Sequence, residues 1–145
     1  MAKKPRGLFA ARKLKERRKK FRFAKKDEWS RRTGMWKKFD PLEGAPMARG
    51  IVIKKGEVEV RQPHSGMRKI VKVQLIKNGK IVSAYAGGPG AINIIEEHDE
   101  VLIERLRAPQ RRAFGDMPGI KFVVREVNGV PLKLILEGKV QKPRR

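Results

Sequence analysis

Positive charge is placed in this chain so that only part of it can build a core. Residues 1–40 carry seventeen Lys and Arg against four Asp and Glu, whereas residues 41–145 carry twenty against eleven. A segment so dense in like charge cannot offset its ordering entropy by burying its own surface. Residues 1–48 therefore read as a basic extension, residues 49–137 as the folded domain, and residues 138–145, "GKVQKPRR", as a short basic tail whose composition alone reads as unfolded. The remaining length supports one core and not two.

The pattern changes where the folded domain begins. Short alternating runs follow one another: "GIVIKKGEVEV" at 50–60, "KIVKVQLI" at 69–76, "KIVSAYA" at 80–86, "EVLIERL" at 100–106 and "IKFVVREV" at 120–127. Val71, Val73 and Leu75 alternate with Lys72 and Gln74, the period of a half-buried strand. Asn78-Gly79 between two runs predicts a hairpin over 69–86 closed by a two-residue turn with positive φ at both positions. Five strands with no long intervening helix fit an all-β core. A small closed or partly open five-stranded barrel of the oligonucleotide-binding (OB) kind suits them better than a flat sheet with two exposed edges, and propensity alone does not separate it from other small barrels. Glycine-rich "AGGPGAIN" at 86–93 lacks the Lys-Ser/Thr ending of a phosphate-binding loop and reads as a tight barrel turn.

The extension is expected to be partly helical. "LFAARKLKERRKKF" sets Leu8, Ala11, Leu14 and Phe21 at roughly helical spacing, with cations including Arg12, Lys13, Arg17, Arg18, Lys19 and Lys20 around the axis. "AKKDEWSRRTGMWKKF" predicts a second short helix with Asp27 and Glu28 in its first turn. Its Trp29, Trp36 and Phe39 either pack on the domain or stack on RNA bases. "DPLEGAPMARG" at 40–50, with two prolines and two glycines, reads as an extended linker.

A formal net charge of +22 calls for a polyanionic partner. A membrane surface is the weaker candidate, since no apolar run reaches a spanning length and no signal-peptide pattern is present, which points to an intracellular protein. The absence of cysteine removes disulfides, zinc knuckles and thiol chemistry. "EEHDE" at 96–100 surrounds His98 with four carboxylates, but consecutive side chains diverge, so it reads as a solvated turn or a local counter-charge and not as a metal site. His64 beside Ser65 has no acidic orienting group, so no nucleophile is assigned. No catalytic residue, metal or cofactor is expected.

The chemistry concentrates in two loops. "RQPHSGMRK" at 61–69 sets Gln62, Pro63, His64 and Ser65 between cations, with Pro63 fixing its own backbone and Gly66 removing bulk. Arg61, Arg68 and Lys69 suit phosphate oxygens, leaving the tip to probe shape or 2′-hydroxyls. "RAPQRRAFGDMPGIK" at 107–121 repeats the plan, with Arg107, Arg111 and Arg112 before a compact "GDMPG" turn and Lys121 after it.

With "RGLFAARKL", "DPLEGAPMARGIV", "RQPHSGMRK", "VQLIKNGK", "GAINIIEEHDEV", "GDMPGIKF" and the ending "KPRR", the chain resembles a known family along nearly its whole length. That family is the small-subunit ribosomal protein numbered twelve in bacteria and twenty-three in eukaryotes, here in a form that looks archaeal. The resemblance implies an OB-like barrel at the decoding centre, binding small-subunit rRNA and supporting codon–anticodon monitoring and translational accuracy in the aminoacyl-tRNA site. It implies Pro63, His64 and Ser65 as the tip of the decoding loop, with Asp116, Pro118 and Gly119 as its companion, and marks Pro63 and Asp116 as candidate modification positions. The chain departs from the family at His64, where Asn is usual, and at Gly66, where Ala is usual. The implied partners are rRNA, neighbouring ribosomal proteins, and the aminoacyl-tRNA and mRNA near the site, with no membrane and no homo-oligomer. The implied location is the ribosome in the cytoplasm. A free translation factor or RNA chaperone with the same barrel is the alternative, and co-sedimentation with small subunits through a high-salt wash separates the two. An RNA-modifying enzyme would require a cofactor motif or a convergent base and nucleophile, and neither is found.

Overall fold

A computed structural model describes residues 6–106 and 115–143. The chain divides into two compact units, Met1–Gly44 and Ala45–Arg145.

The first unit is helical: α1 (Ala10–Ala24), α2 (Lys26–Arg32) and α3 (Met35–Phe39). Gly34, at φ 67°, separates α2 from α3, so the single helix expected over this stretch is two. Asp27 and Glu28 stand in the first turn of α2, complementing the helix dipole. Neither α1 nor α2 contains a buried residue. The Arg32 guanidinium of α2 lies 5.3 Å from the centre of the Phe23 ring of α1. Trp29 is 43 % and Phe39 69 % exposed, so neither ring is part of a core. The expected extended linker is different in form. Residues 40–44 make a turn in which the Asp40 carboxylate accepts from the N–H groups of Leu42 and Gly44, at 3.2 Å each.

The second unit is mostly β: β1 (Met47–Glu59), β2 (Met67–Leu75), β3 (Ile81–Tyr85), α4 (Ala91–Ile94), β4 (Glu100–Arg105), β5 (Phe122–Val127), β6 (Val130–Pro131) and α5 (Leu132–Leu136). Each expected strand is present, but the sheet has six strands and not five, in the order β3-β2-β1-β4-β5-β6. All neighbours are antiparallel, and a parallel pairing of β3 with β5, Ala84 opposite Phe122 and Tyr85 opposite Val123, closes the sheet into an OB-like ring. Closure removes the exposed edges an open sheet would leave. It is an uneven barrel, because β6 has two residues while β1, with thirteen, pairs with β4 along its first part and with β2 along the rest.

A register shift at Ile53 lets β1 do this, since a bulge bends the strand after Val52. Met47–Ile51 pairs with β4, and the strand then continues along β2. Gly50 sits where the strands come closest: a Cβ there would meet Val73 Cγ1 at 2.4 Å and the Gln74 carbonyl oxygen at 2.7 Å. The predicted alternation holds in β2, where Val71, Val73 and Leu75 are buried and Lys72 and Gln74 exposed. Val52, Val101, Ile103 and Val127 complete the interior from the other strands.

The turns differ from expectation. In the β2–β3 connection the Leu75 N–H donates to the Lys80 carbonyl at 3.0 Å around four residues, 76–79, and of Asn78 and Gly79 only Gly79 has positive φ. The two-residue Asn-Gly turn occurs instead at Asn128-Gly129, φ 49° and 81°, between Val127 and Val130 of β5 and β6. The glycine-rich 86–93 stretch does turn the chain, and it also opens the one-turn helix α4 at Gly90.

Candidate functional site

Two loops emerge beside each other from the barrel: residues 60–66 between β1 and β2, and the β4–β5 connection, described from Gly115. In the first, the Val60 N–H donates to the Gly66 carbonyl at 3.1 Å and the His64 N–H to the Arg61 carbonyl at 3.1 Å, which folds the loop back on itself. The Gln62–Pro63 peptide is cis. Gln62, Pro63, His64 and Ser65 are all exposed, as is Arg61. In the second, Leu106 donates its N–H to the Lys121 carbonyl at 2.8 Å and closes the base, while Gly119, at φ 78°, makes the turn that leaves Pro118 and Gly119 exposed. Arg107, Arg111 and Arg112 lie outside the described residues.

A small hydrophobic cluster seats the second loop on the barrel. Met117, 2 % exposed, and Ile120 pack with Ile70, flanked by Val58, Tyr85 and Leu106. Ile70 precedes inward-facing Val71, so it lies on the opposite face of β2, and its burial comes from the loop covering the outside of the sheet. The break in alternation at Ile70 is the signal in the sequence that something packs there.

Asp116 joins the two loops. Its carbonyl accepts from the Arg61 N–H at 3.1 Å, and its carboxylate Oδ2 accepts from Arg68 Nε at 3.1 Å and from a terminal guanidinium nitrogen at 2.7 Å. The Arg68 hydrogen bond, with a smaller share from its charge and from the nearby His64, holds the Asp116 carboxyl below its usual range against the opposing effect of desolvation. Arg68 is raised in return, chiefly by the same hydrogen bond. Sequence reading placed Arg68 toward phosphate and missed this pairing, whose members stand 48 residues apart. Lys69 is also engaged, by Glu57 across β1 and β2. Among the described residues, Arg61 and Lys121 have no ion-pair partner.

The acidic run at 96–100 is more than a solvated turn. Asp99 is buried, accepting from the Glu96 N–H at 2.8 Å and Asn128 Nδ2 at 3.0 Å, with Lys142 Nζ 2.7 Å away. Lys142 also reaches Glu96, at 3.0 Å, and the Ile94 carbonyl, at 2.9 Å. Burial pushes the Asp99 carboxyl up, but the hydrogen bonds from Lys142, the Glu96 N–H and Asn128 outweigh it and hold the group low. Lys142 is raised: burial works against its charge, and the bonds to Asp99 and Glu96 prevail. The tail, read from composition as unfolded, is thus fixed to the barrel at Lys142. His98 is exposed beside this network, and among the described residues no cluster of His, Asp and Glu is arranged to hold a metal.

On α1, Arg12, Lys13, Arg17, Arg18, Lys19 and Lys20 are all exposed. They are six of its eight Lys and Arg, set against the single acid Glu16. No described helix is long and apolar enough to cross a membrane.

The fold and the paired loops define a basic OB-type barrel protein with a cationic helical extension. The chain matches the family model described as Ribosomal protein S12/S23 over residues 35–145, and it belongs to that family. It is therefore a constituent of the small ribosomal subunit, from a structural and not an enzymatic family, and membership implies rRNA and ribosomal proteins as partners and the ribosome as location. Helices α1 and α2 precede the matched stretch.

Proposed function

We propose that the chain works at the decoding centre, where the barrel and its basic extension bind small-subunit rRNA and the two loops support the monitoring of codon–anticodon pairing in the aminoacyl-tRNA site. The observation that carries this reading is the union of the loops at Asp116, which presents Gln62–Ser65 and Pro118–Gly119 together as exposed tips on one base. A surface of that kind can act geometrically. A cognate minihelix lets the Ser65 hydroxyl and nearby rRNA groups make satisfied hydrogen bonds, whereas a mismatch leaves polar groups desolvated without partners, at roughly 1–3 kcal/mol each.

Cations hold the surface in register. Arg61 and Lys121 flank the loops, and Arg12, Lys13, Arg17, Arg18, Lys19 and Lys20 line the extension, where phosphate contacts position without reading sequence. Arg107, Arg111 and Arg112 belong to the same proposed set through the loop they share with Asp116. Pro63 and Asp116 are proposed as modification positions. The mRNA and aminoacyl-tRNA are partners by proximity, and the chain acts as a single copy in the cytoplasmic ribosome.

The test is reconstitution of small subunits with and without the chain, followed by a high-salt wash and a measurement of near-cognate aminoacyl-tRNA acceptance. Retention through the wash and restored accuracy are expected. A chain that washes off and leaves accuracy unchanged acts as a free factor instead.

A further inference from the structure

Resting on that reading, we infer that Arg68 is a positioning residue held by Asp116, and that the cations of the loop platform open to phosphate are Arg61 and Lys121. Residue 116 is bonded from both sides of the first loop: once by the backbone N–H of Arg61 before the tip and twice by the guanidinium of Arg68 after it. The loop is bracketed by a single residue of its neighbour. That residue cannot easily follow a moving partner, because the adjacent Met117 is buried in the cluster with Ile70 and Ile120. The Asp116 side chain is 18 % exposed and that of Arg68 47 %, so the carboxylate is largely covered and the guanidinium reaches in to it from the surface.

Electrostatics separates the cations into two groups. The carboxylate 2.7 Å from the Arg68 guanidinium offsets much of that group's attraction for a phosphate several ångströms beyond the pair. Lys69 is likewise compensated by Glu57. Arg61 and Lys121 are not compensated within the described residues, and they stand at the base of the first and second loop respectively. An arginine next to an RNA-facing tip thus spends its charge inside the protein. What it contributes to the tip is a fixed distance between two loops.

The two roles leave different marks on salt dependence, since each phosphate neutralised by the protein adds roughly 0.7–0.9 to the slope of log affinity against log salt. The full chain is bound to small-subunit particles depleted of it, over a salt series, alongside Arg61→Ala, Lys121→Ala and the uncharged pair Arg68→Gln with Asp116→Asn. The first two variants are expected each to lower the slope by somewhat less than one, and the double variant to keep the slope of the unmodified chain while near-cognate acceptance rises. A double variant whose slope falls as far as that of Arg61→Ala makes Arg68 a phosphate ligand and overturns the inference. Arg68→Met with Asp116→Asn repeats the comparison, with the same two outcomes, should the first pair not fold. Near-cognate acceptance in the same particles tests the underlying reading separately: slopes as expected with accuracy unmoved leave the pairing in place and remove the decoding role.

Discussion

Ser65 is exposed at a loop tip, away from both the barrel interior and the Met117 cluster. Ser65→Ala is expected to change stability by about 0.5 kcal/mol or less, as surface changes outside special contacts do. If its hydroxyl bonds at the decoding site, near-cognate acceptance shifts by up to roughly tenfold, the equivalent of a bond near 1.4 kcal/mol. Misreading and tRNA-selection rates in reconstituted ribosomes check both, and unchanged accuracy with normal assembly makes Ser65 a spacer. The tip residues were legible because proline, glycine and flanking cations are a local pattern. Asp116 was legible as part of a turn but not as the residue that joins two loops, because nothing near it in sequence announces Arg68. The same holds for Asp99, whose partner Lys142 comes from a tail with no periodicity to mark it.

The strands were readable where one face is buried, since period-two alternation follows from that burial. What escaped was decided by pairing across the sheet. The dipeptide Asn-Gly occurs twice, and only the ladder determines which copy turns in two residues: Leu75 bonds Lys80 around one copy, Val127 pairs with Val130 around the other. β6 and α5 are too short to carry a period. Gly50 gives the barrel's most direct packing test. Gly50→Ala forces a methyl onto Val73 and the Gln74 backbone, and a loss of about 1–3 kcal/mol is expected in chemical denaturation. A stable Gly50→Ala variant would mean that β1 and β2 can part there without cost. The tail anchor gives a pH test. Asp99 is held below its usual value, so its stabilisation is present above the ordinary carboxylate pKa of about 3.9 and is lost as pH falls through the lowered folded value. Lys142 is raised, so its share is present at neutral pH and is lost only at strongly alkaline pH. Asp99→Asn should therefore destabilise the chain at neutral pH and weaken its dependence on pH in the acid range. Equal acid sensitivity of the two proteins in a melting series argues against this anchor.

Over the whole chain, charge and burial are divided between two units. The β unit holds nearly all of the buried apolar side chains, while α1 and α2 bury none and carry a dense cationic surface ahead of the stretch that matches the family. Such a chain is built for a polyanion, and the proposed decoding role puts its paired loops beside the codon. The lack of cysteine supplies the means of measuring that position, because Met67→Cys, at a site 54 % exposed next to the tip, gives a single attachment point for an iron chelate that generates hydroxyl radicals. In small subunits reconstituted with this variant and programmed with mRNA and aminoacyl-tRNA, the expected result is strand cleavage at the codon in the aminoacyl-tRNA site and at the anticodon end of the tRNA. Normal assembly with neither RNA cut at those positions would contradict it.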